Sequence, residues 1–209
     1  MLLSAETLLI FAPAALALNL TPGNDMLFCL GQGMKSGPKA GIAASFGITC
    51  GGVIHTLAAA LGLAALLAAH PGAFEAIRWA GVAYLVWLAV KALRAPGIDL
   101  RAEDALRESP GAAFRQAVVV SLTNPKIVVF VLAFLPQFVD PSRGSPFLQF
   151  LLLGAILNGG GTLVNALVGG FAGVIGRRMA GRASLARAFQ RLTGVIFLGL
   201  AARIALEQR

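Results

Sequence analysis

Thirty consecutive residues, Pro146 to Ile175, contain no Asp, Glu, Lys or Arg. A helix needs about 20 mostly apolar residues to cross a bilayer, so this run alone is long enough. Five further charge-poor runs accompany it: Thr7–Gln32, Ala40–Ala69, Trp79–Val90, Ala117–Val139 and Leu192–Leu206. Of the 209 residues, 57% are hydrophobic and 12% charged, about half the charge of an ordinary soluble domain. Mean hydropathy is +0.80. That composition excludes a disordered chain, a coiled coil, a basic nucleic-acid-binding domain and almost any soluble enzyme of this size. Six runs in 209 residues leave no room for a separate soluble domain. The expected fold is an all-α membrane protein with six transmembrane helices.

The net charge of +8 therefore concerns topology, and no nucleic-acid partner is expected. Cytoplasmic loops are enriched in Lys and Arg. The connections between runs 1–2, 3–4 and 5–6 hold 12 of the 17 basic residues: Lys35, Lys39, Lys91, Arg94, Arg101, Arg107, Arg115, Arg177, Arg178, Arg182, Arg187 and Arg191. The opposite side holds Arg78, Arg143, Arg203 and Arg209. The bias places both termini outside. No Lys or Arg precedes Lys35, so the first run lacks the basic flank of a signal peptide and is expected to be retained. The cluster at 177–191 also suits contact with anionic lipid headgroups.

The chain contains a weak internal repeat. Ala80-Gly81-Val82-Ala83-Tyr84-Leu85 matches Thr193-Gly194-Val195-Ile196-Phe197-Leu198 at an offset of 113, which also maps Ser45 onto Asn158 and Thr49 onto Thr162. Asn19-Leu20-Thr21-Pro22 matches Ser121-Leu122-Thr123-Asn124-Pro125 at an offset of 102 to 103. Two successive three-helix units must cross the membrane in opposite senses. The expectation is an inverted 3+3 repeat: residues 1–94, a polar cytoplasmic linker over 95–114, and residues 115–209. Secondary transporters are commonly built this way.

Runs 1 and 4 are interrupted at Pro22-Gly23 and Asn124-Pro125. Proline removes a helical N–H and clashes with the preceding turn. Irregular backbone at membrane depth survives where it is buried in protein or lines a wet cavity, and paired interrupted spans point to a transporter binding site. A plain kink is the alternative at either break alone. Asp25 and Lys126 follow the breaks directly. Ionisable groups inside a span face a cavity or pair with each other. Asp25 is a candidate for ammonium or proton binding. Lys126 and Asn124 are candidates for carboxylate binding, or Lys126 as the partner charge of Asp25. A structural ion pair or a snorkelling lysine is the plainer alternative. Thr21 and Thr123 join them as candidate substrate- or proton-binding groups, with Pro22, Gly23 and Pro125 shaping the break.

Asn158, Thr162 and Asn165 share one helical face, and Ser45, Thr49, Gly52 and Thr56 form the equivalent stripe. They either line a pathway or glue helices together, as small and polar residues do in membranes. Gly47 and Gly51 read as close packing. His55 lies off the stripe and is either a proton relay or a hydrogen-bonded bundle residue. Cys29 and Cys50 read as small apolar residues. No phosphate-binding loop, metal-spaced Cys/His cluster or nucleophile–base pair is present, so neither an enzyme nor a cofactor or metal site is expected. Small-residue faces permit a homodimer.

These residues resemble those of the lysine exporter (LysE/RhtB) family of amino-acid translocators. The resemblance rests on Asn19-Leu20-Thr21-Pro22-Gly23-Asn24-Asp25, on Gly47-Ile48 and His55-Thr56, on Leu122-Thr123-Asn124-Pro125-Lys126, and on Phe134-Leu135-Pro136-Gln137-Phe138-Val139-Asp140-Pro141. It covers nearly the whole chain. The family pattern has a second proline where Asn24 stands. The resemblance implies inner-membrane export of small amino acids such as homoserine, threonine, leucine or lysine, coupled to proton antiport. The residues alone reach a secondary transporter, with an uncoupled ion or small-solute channel as the alternative.

Overall fold

The computed structural model of the chain describes residues 2–69, 73–94, 107–174 and 183–206. Among these residues no strand occurs. The helices are α1 (Ala5–Leu20), α2 (Asn24–Ser36), α3 (Pro38–Ala69), α4 (Ala73–Arg94), α5 (Pro110–Leu122), α6 (Pro125–Ala133), α7 (Pro146–Gly170) and α8 (Ala183–Leu206). Short 3-10 turns follow α6 at Leu135–Phe138 and Pro141–Arg143. By length and apolarity α3 and α7 can each cross a membrane, and the number rises to four if each bent pair is one span.

The sequence dictates most boundaries. Ser4 caps α1, its hydroxyl accepting from the Thr7 amide at 3.0 Å, and Ser109 caps α5 likewise. Thr21 is extended because it precedes Pro22. The chain then bends by 49° between α1 and α2, and by 53° between α5 and the stretch from Pro125 to Phe138. Gly37, at φ +90°, turns the chain from α2 into α3. α4 and α8 begin well before the apolar runs Trp79–Val90 and Leu192–Leu206. Arg and Ala are good helix formers, so both helices outlast their hydrophobic stretches. Of the expected linker over 95–114, residues 95–106 lie outside the described residues, and α5 already begins at Pro110.

α3 is the central element. It packs most extensively against α7 and α5, while α4 packs against α8. Close approach explains the glycines. At the α3–α7 crossing a Cβ on Gly169 would stand 2.7 Å from the carbonyl carbon of Gly41, and at the α3–α5 crossing a Cβ on Gly51 would stand 2.6 Å from the Cβ of Ser121. A second, aromatic core joins the bundle's other side: Phe130 and Phe134 lie 4.3 Å apart, centroid to centroid, and Phe138 meets Phe11 edge-on at 5.1 Å. Large apolar side chains face outward, among them Leu9 at 75% and Leu163 at 62% exposure. An aqueous surface would not sustain such a coat, whereas acyl chains suit it.

One polar cluster ties the end of α2 to the start of α5. Lys35 Nζ lies 2.6 Å from Glu108 Oε1. Gln32 donates to Glu108 at 3.2 Å, and the Glu108 amide donates to Ser36 at 2.9 Å. The hydrogen bond from Lys35 holds the Glu108 carboxyl below its ordinary value of 4.5.

Two stability predictions follow from this packing. Gly169→Ala must separate two backbones, costing about 1–3 kcal/mol, whereas Gly159→Ala in the same helix meets nothing within 4 Å and gains up to about 1 kcal/mol of helix propensity. Thermal unfolding in detergent should therefore drop for the first and hold or rise for the second. The lowered Glu108 carboxyl contributes stability above its unfolded value, lost as pH falls through its folded one. The melting-temperature advantage of wild type over Glu108→Gln should thus be present at pH 6 and vanish well below pH 4.5.

Candidate functional site

A proline at position i cannot donate to the carbonyl at i−4. Pro22 therefore leaves the Leu18 carbonyl without its i+4 donor, and Pro125 does the same to Ser121; each keeps one short-range bond, from Thr21 N at 3.2 Å and from Asn124 N at 3.1 Å. Each also faces a donor from the other half of the chain. Lys126 Nζ donates to Leu18 O at 3.1 Å and to Thr21 O at 3.0 Å. His55 Nε2 lies 3.2 Å from Ser121 O, and because a carbonyl only accepts, that ring nitrogen carries the proton.

Between these two bridges lies Asn124. Its side-chain oxygen accepts from the Lys126 amide at 3.0 Å, capping α6, while its Nδ2 donates to Asp25 Oδ1 at 2.8 Å. Asp25 is buried, at 8% exposure, in the first turn of α2. A carboxylate is stabilised there by the helix dipole. The expected direct ion pair between Asp25 and Lys126 does not form. The open carbonyl end of α1 is a closer partner for the ammonium, and the Asn124 amide takes the carboxylate. Lys126 and His55 still lie within electrostatic range of Asp25.

Two cavities flank this centre. The larger, about 260 Å³, is lined by the break residues Thr21, Pro22, Gly23 and Asn24 and by Asn124, Pro125 and Lys126. Its far wall is Tyr84, Trp87 and Lys91 of α4 with Gln190 and Phe197 of α8. Tyr84 and Trp87 stack at 5.4 Å, and Lys91 Nζ stands 5.1 Å over the Trp87 ring. The smaller, about 30 Å³, lies among Asp25, Ser121, Thr49, Asn158, Thr162 and Asn165, with space for about one water. Asn124 lines the first cavity and Asp25 the second, so their hydrogen bond separates the two.

The breaks, Asp25, Lys126 and Asn124 thus converge as the sequence suggests. The polar stripes of α3 and α7 face each other: the hydroxyls of Thr49 and Thr162 share a hydrogen bond of 2.5 Å, and Asn158 donates to Thr56 at 3.2 Å. Ser45 is fully buried and bonded to its own helix, and Thr123 is exposed, its hydroxyl on Val119 O at 2.9 Å. Neither lines these two cavities. Trp87, Lys91 and Gln190 were not legible as site residues, since Lys91 reads as a topology charge at a span's end. Tyr84 and Phe197 carried a signal: they occupy equivalent positions of the repeat, 113 residues apart, and both line the larger cavity.

A helical bundle with a lipid-facing apolar coat and a polar centre at two opened helices is a membrane protein with an internal site. The family model described as LysE type translocator matches residues 16–208, and the chain belongs to that family. It is 36% identical over 195 residues to an uncharacterized membrane protein of Pseudomonas aeruginosa, covering 89% of this chain and 88% of that one. It is 38% identical over 138 residues to the homoserine/homoserine lactone efflux protein of Salmonella typhimurium, 66% of each chain. It is also 30% identical over 201 residues to the leucine efflux protein of Klebsiella pneumoniae, covering 96% and 95%. No solved structure matches the chain.

Asn124→Ala removes the α6 cap, about 1 kcal/mol, and leaves a buried carboxylate without its donor, about 1.5–3 kcal/mol. The variant should unfold several degrees below wild type in detergent, and Asn124→Asp, with like charges facing each other, lower still.

Proposed function

We propose that the protein exports neutral amino acids across the inner membrane in exchange for protons. In this reading its six helical segments are six spans of an inverted 3+3 repeat with both termini outside, and one three-helix unit rocks against the other. The observation that carries the reading is the meeting of two broken helices at Asn124–Asp25 and Lys126–Leu18, beside a cavity of about 260 Å³. Such breaks expose half-helix ends that suit an ammonium and a carboxylate. The repeat is supported by the self-matching contact of Thr49 with Thr162 and by the shared cavity wall of Tyr84 and Phe197. Export of amino acids is supported by the Salmonella and Klebsiella relatives, named as homoserine/homoserine lactone and leucine efflux proteins.

The cavity falls just below the range of about 300–1,000 Å³ that holds drug-sized ligands, so one amino acid suits it. Among the described residues its wall carries two cations, Lys91 and Lys126, and no Asp or Glu. It offers an aromatic shelf, Tyr84 and Trp87, to an uncharged side chain. A cationic side chain there meets like charge, which favours leucine or homoserine over lysine. The carboxylate faces Lys91 and the uncapped first turn of α2 at Gly23 and Asn24. The ammonium faces the carbonyl end of α1. Asp25 holds Asn124 in place and meets protons from the smaller cavity, where Thr49, Asn158, Thr162 and Asn165 supply a polar route. Separation of the two cavities by the Asn124–Asp25 bond favours alternating access over a continuous channel.

Uptake of labelled leucine, homoserine and lysine into everted vesicles, with and without an uncoupler, tests the proposal. Leucine or homoserine should accumulate at least tenfold more than lysine, and the uncoupler should abolish it. Flux indifferent to the uncoupler would indicate a channel, and no amino-acid accumulation at all would refute export. Asp25→Asn loses a charge-assisted hydrogen bond of about 1.5–3 kcal/mol and should cut uptake about tenfold or more without reducing the amount of protein in the membrane.

A further inference from the structure

The Leu18 and Thr21 carbonyls form more than a loose helix end. Thr21 N bonds back to Ala17 O and Leu18 O at 3.1 and 3.2 Å, and Thr21 Oγ1 donates to Ala17 O at 2.6 Å, fixing the last turn. Two carbonyl oxygens then converge on one point at the wall of the larger cavity, and the Lys126 ammonium occupies it. Carbonyls at the open end of a broken helix are a ready cation site. The contrast with the other break is informative. There one carbonyl, Ser121 O, accepts from the Asn124 amide at 3.1 Å and faces one ring N–H of His55, which needs no charge. Two converging carbonyls call for a cation.

We propose that Lys126 is a tethered occupant of a cation site at the end of α1, and that it carries the exchanged proton because the substrate ammonium competes for the same two carbonyls. This rests on the reading of the protein as a proton-coupled amino-acid exporter. When a substrate ammonium takes Leu18 O and Thr21 O, the displaced Lys126 ammonium passes one proton to water in the cavity and remains as a neutral amine. When the substrate leaves, the amine recovers a proton and returns to the carbonyls. The two cations exclude each other, which is the thermodynamic requirement for exchange rather than cotransport. No sodium is needed, since the chain supplies its own cation. The titratable groups around Lys126 are Asp25 of α2, which attracts the ammonium, Lys91 of α4, which repels it, Tyr84 of α4, whose hydroxyl donates to Lys126 O at 3.5 Å, and His55 of α3 on the far side of Asp25. α8 contributes the uncharged Gln190 and Phe197 to this wall.

The test uses the full-length protein in proteoliposomes. Leucine counterflow at equal pH reports binding and translocation, and leucine accumulation under a pH gradient reports coupling. Arginine keeps the cation but does not release its proton. Lys126→Arg should therefore lower the ratio of gradient-driven accumulation to counterflow at least tenfold, even where counterflow itself falls. Lys126→His should restore coupling with its pH profile shifted downward, as the ordinary values of about 6.5 for imidazole and 10.4 for lysine require. Wild-type protein in weakly buffered detergent should release protons on adding leucine, and its transport should be unchanged when choline replaces sodium. Full coupling in Lys126→Arg, no proton release from wild type, or a sodium requirement each overturns the proposal. Should Lys126→Arg be inactive in both assays, proton release by wild type and the Lys126→His profile decide. Absence of wild-type leucine counterflow would instead overturn the amino-acid reading, and this proposal with it.

Discussion

A proline removes the i+4 donor of one carbonyl, and at the two helix breaks Pro22 and Pro125 leave Leu18 O and Ser121 O with only one short-range backbone bond each. Their further partners, Lys126 and His55, come from across the bundle. The acceptor at Leu18 belongs to the first half and is met from the second; the acceptor at Ser121 belongs to the second half and is met from the first. Neither broken helix is complete alone. The two halves are cross-wired at the depth where each is weakest, and Asn124 binds both sides of the seam through one amide. Relative motion of the halves must trade these bonds for others, so substrate or water must be at hand when they break.

The rest of the fold serves that seam. α3 and α7 cross on glycine, with Gly41 and Gly169 in backbone contact. Small surfaces without interlocking side chains resist shear less than a core of large side chains does. The larger aromatic core lies on the side of Phe11, Phe130 and Phe134, where the 3-10 turns after α6 are anchored by Gln149 bonding to Asp140 O at 2.7 Å. One side is built of large interlocked side chains and the other of small ones, a division that suits the proposed rocking of one unit against the other.

How much of this was legible in the sequence depended on chemistry rather than on position. Pro22 and Pro125 announced the breaks because a missing N–H is a property of the residue itself. Asp25 and Lys126 announced a polar centre because charge is costly in lipid. Opposite charges suggest a direct bond between them, yet the Leu18 and Thr21 carbonyls at the open end of α1 take the ammonium. The i−4 rule, applied to Pro22 and Pro125, names Leu18 and Ser121. His55 was visible only as an isolated histidine, since its partner lies on a backbone and backbone atoms leave no signature in composition. Trp87 stayed hidden because which face of an apolar run turns inward is decided by packing, and Gln190 because it falls in the basic stretch before the run Leu192–Leu206.

The two breaks differ at one point, and the difference assigns their roles. α6 begins with Pro125 behind a side-chain cap, Asn124, which satisfies the Lys126 amide internally. α2 begins behind Gly23, which has no side chain to cap with. The family pattern places a second proline at the first position of α2, where Asn24 stands here. Proline is well suited to a first helical position because no donor is needed there, and α2 begins at residue 24 without it. The exchange adds one free N–H to an uncapped helix start at the cavity wall. A helix start with one more free donor suits an anion, and this one lines the same cavity as Lys91, while the capped end at α6 positions Asp25 through Asn124.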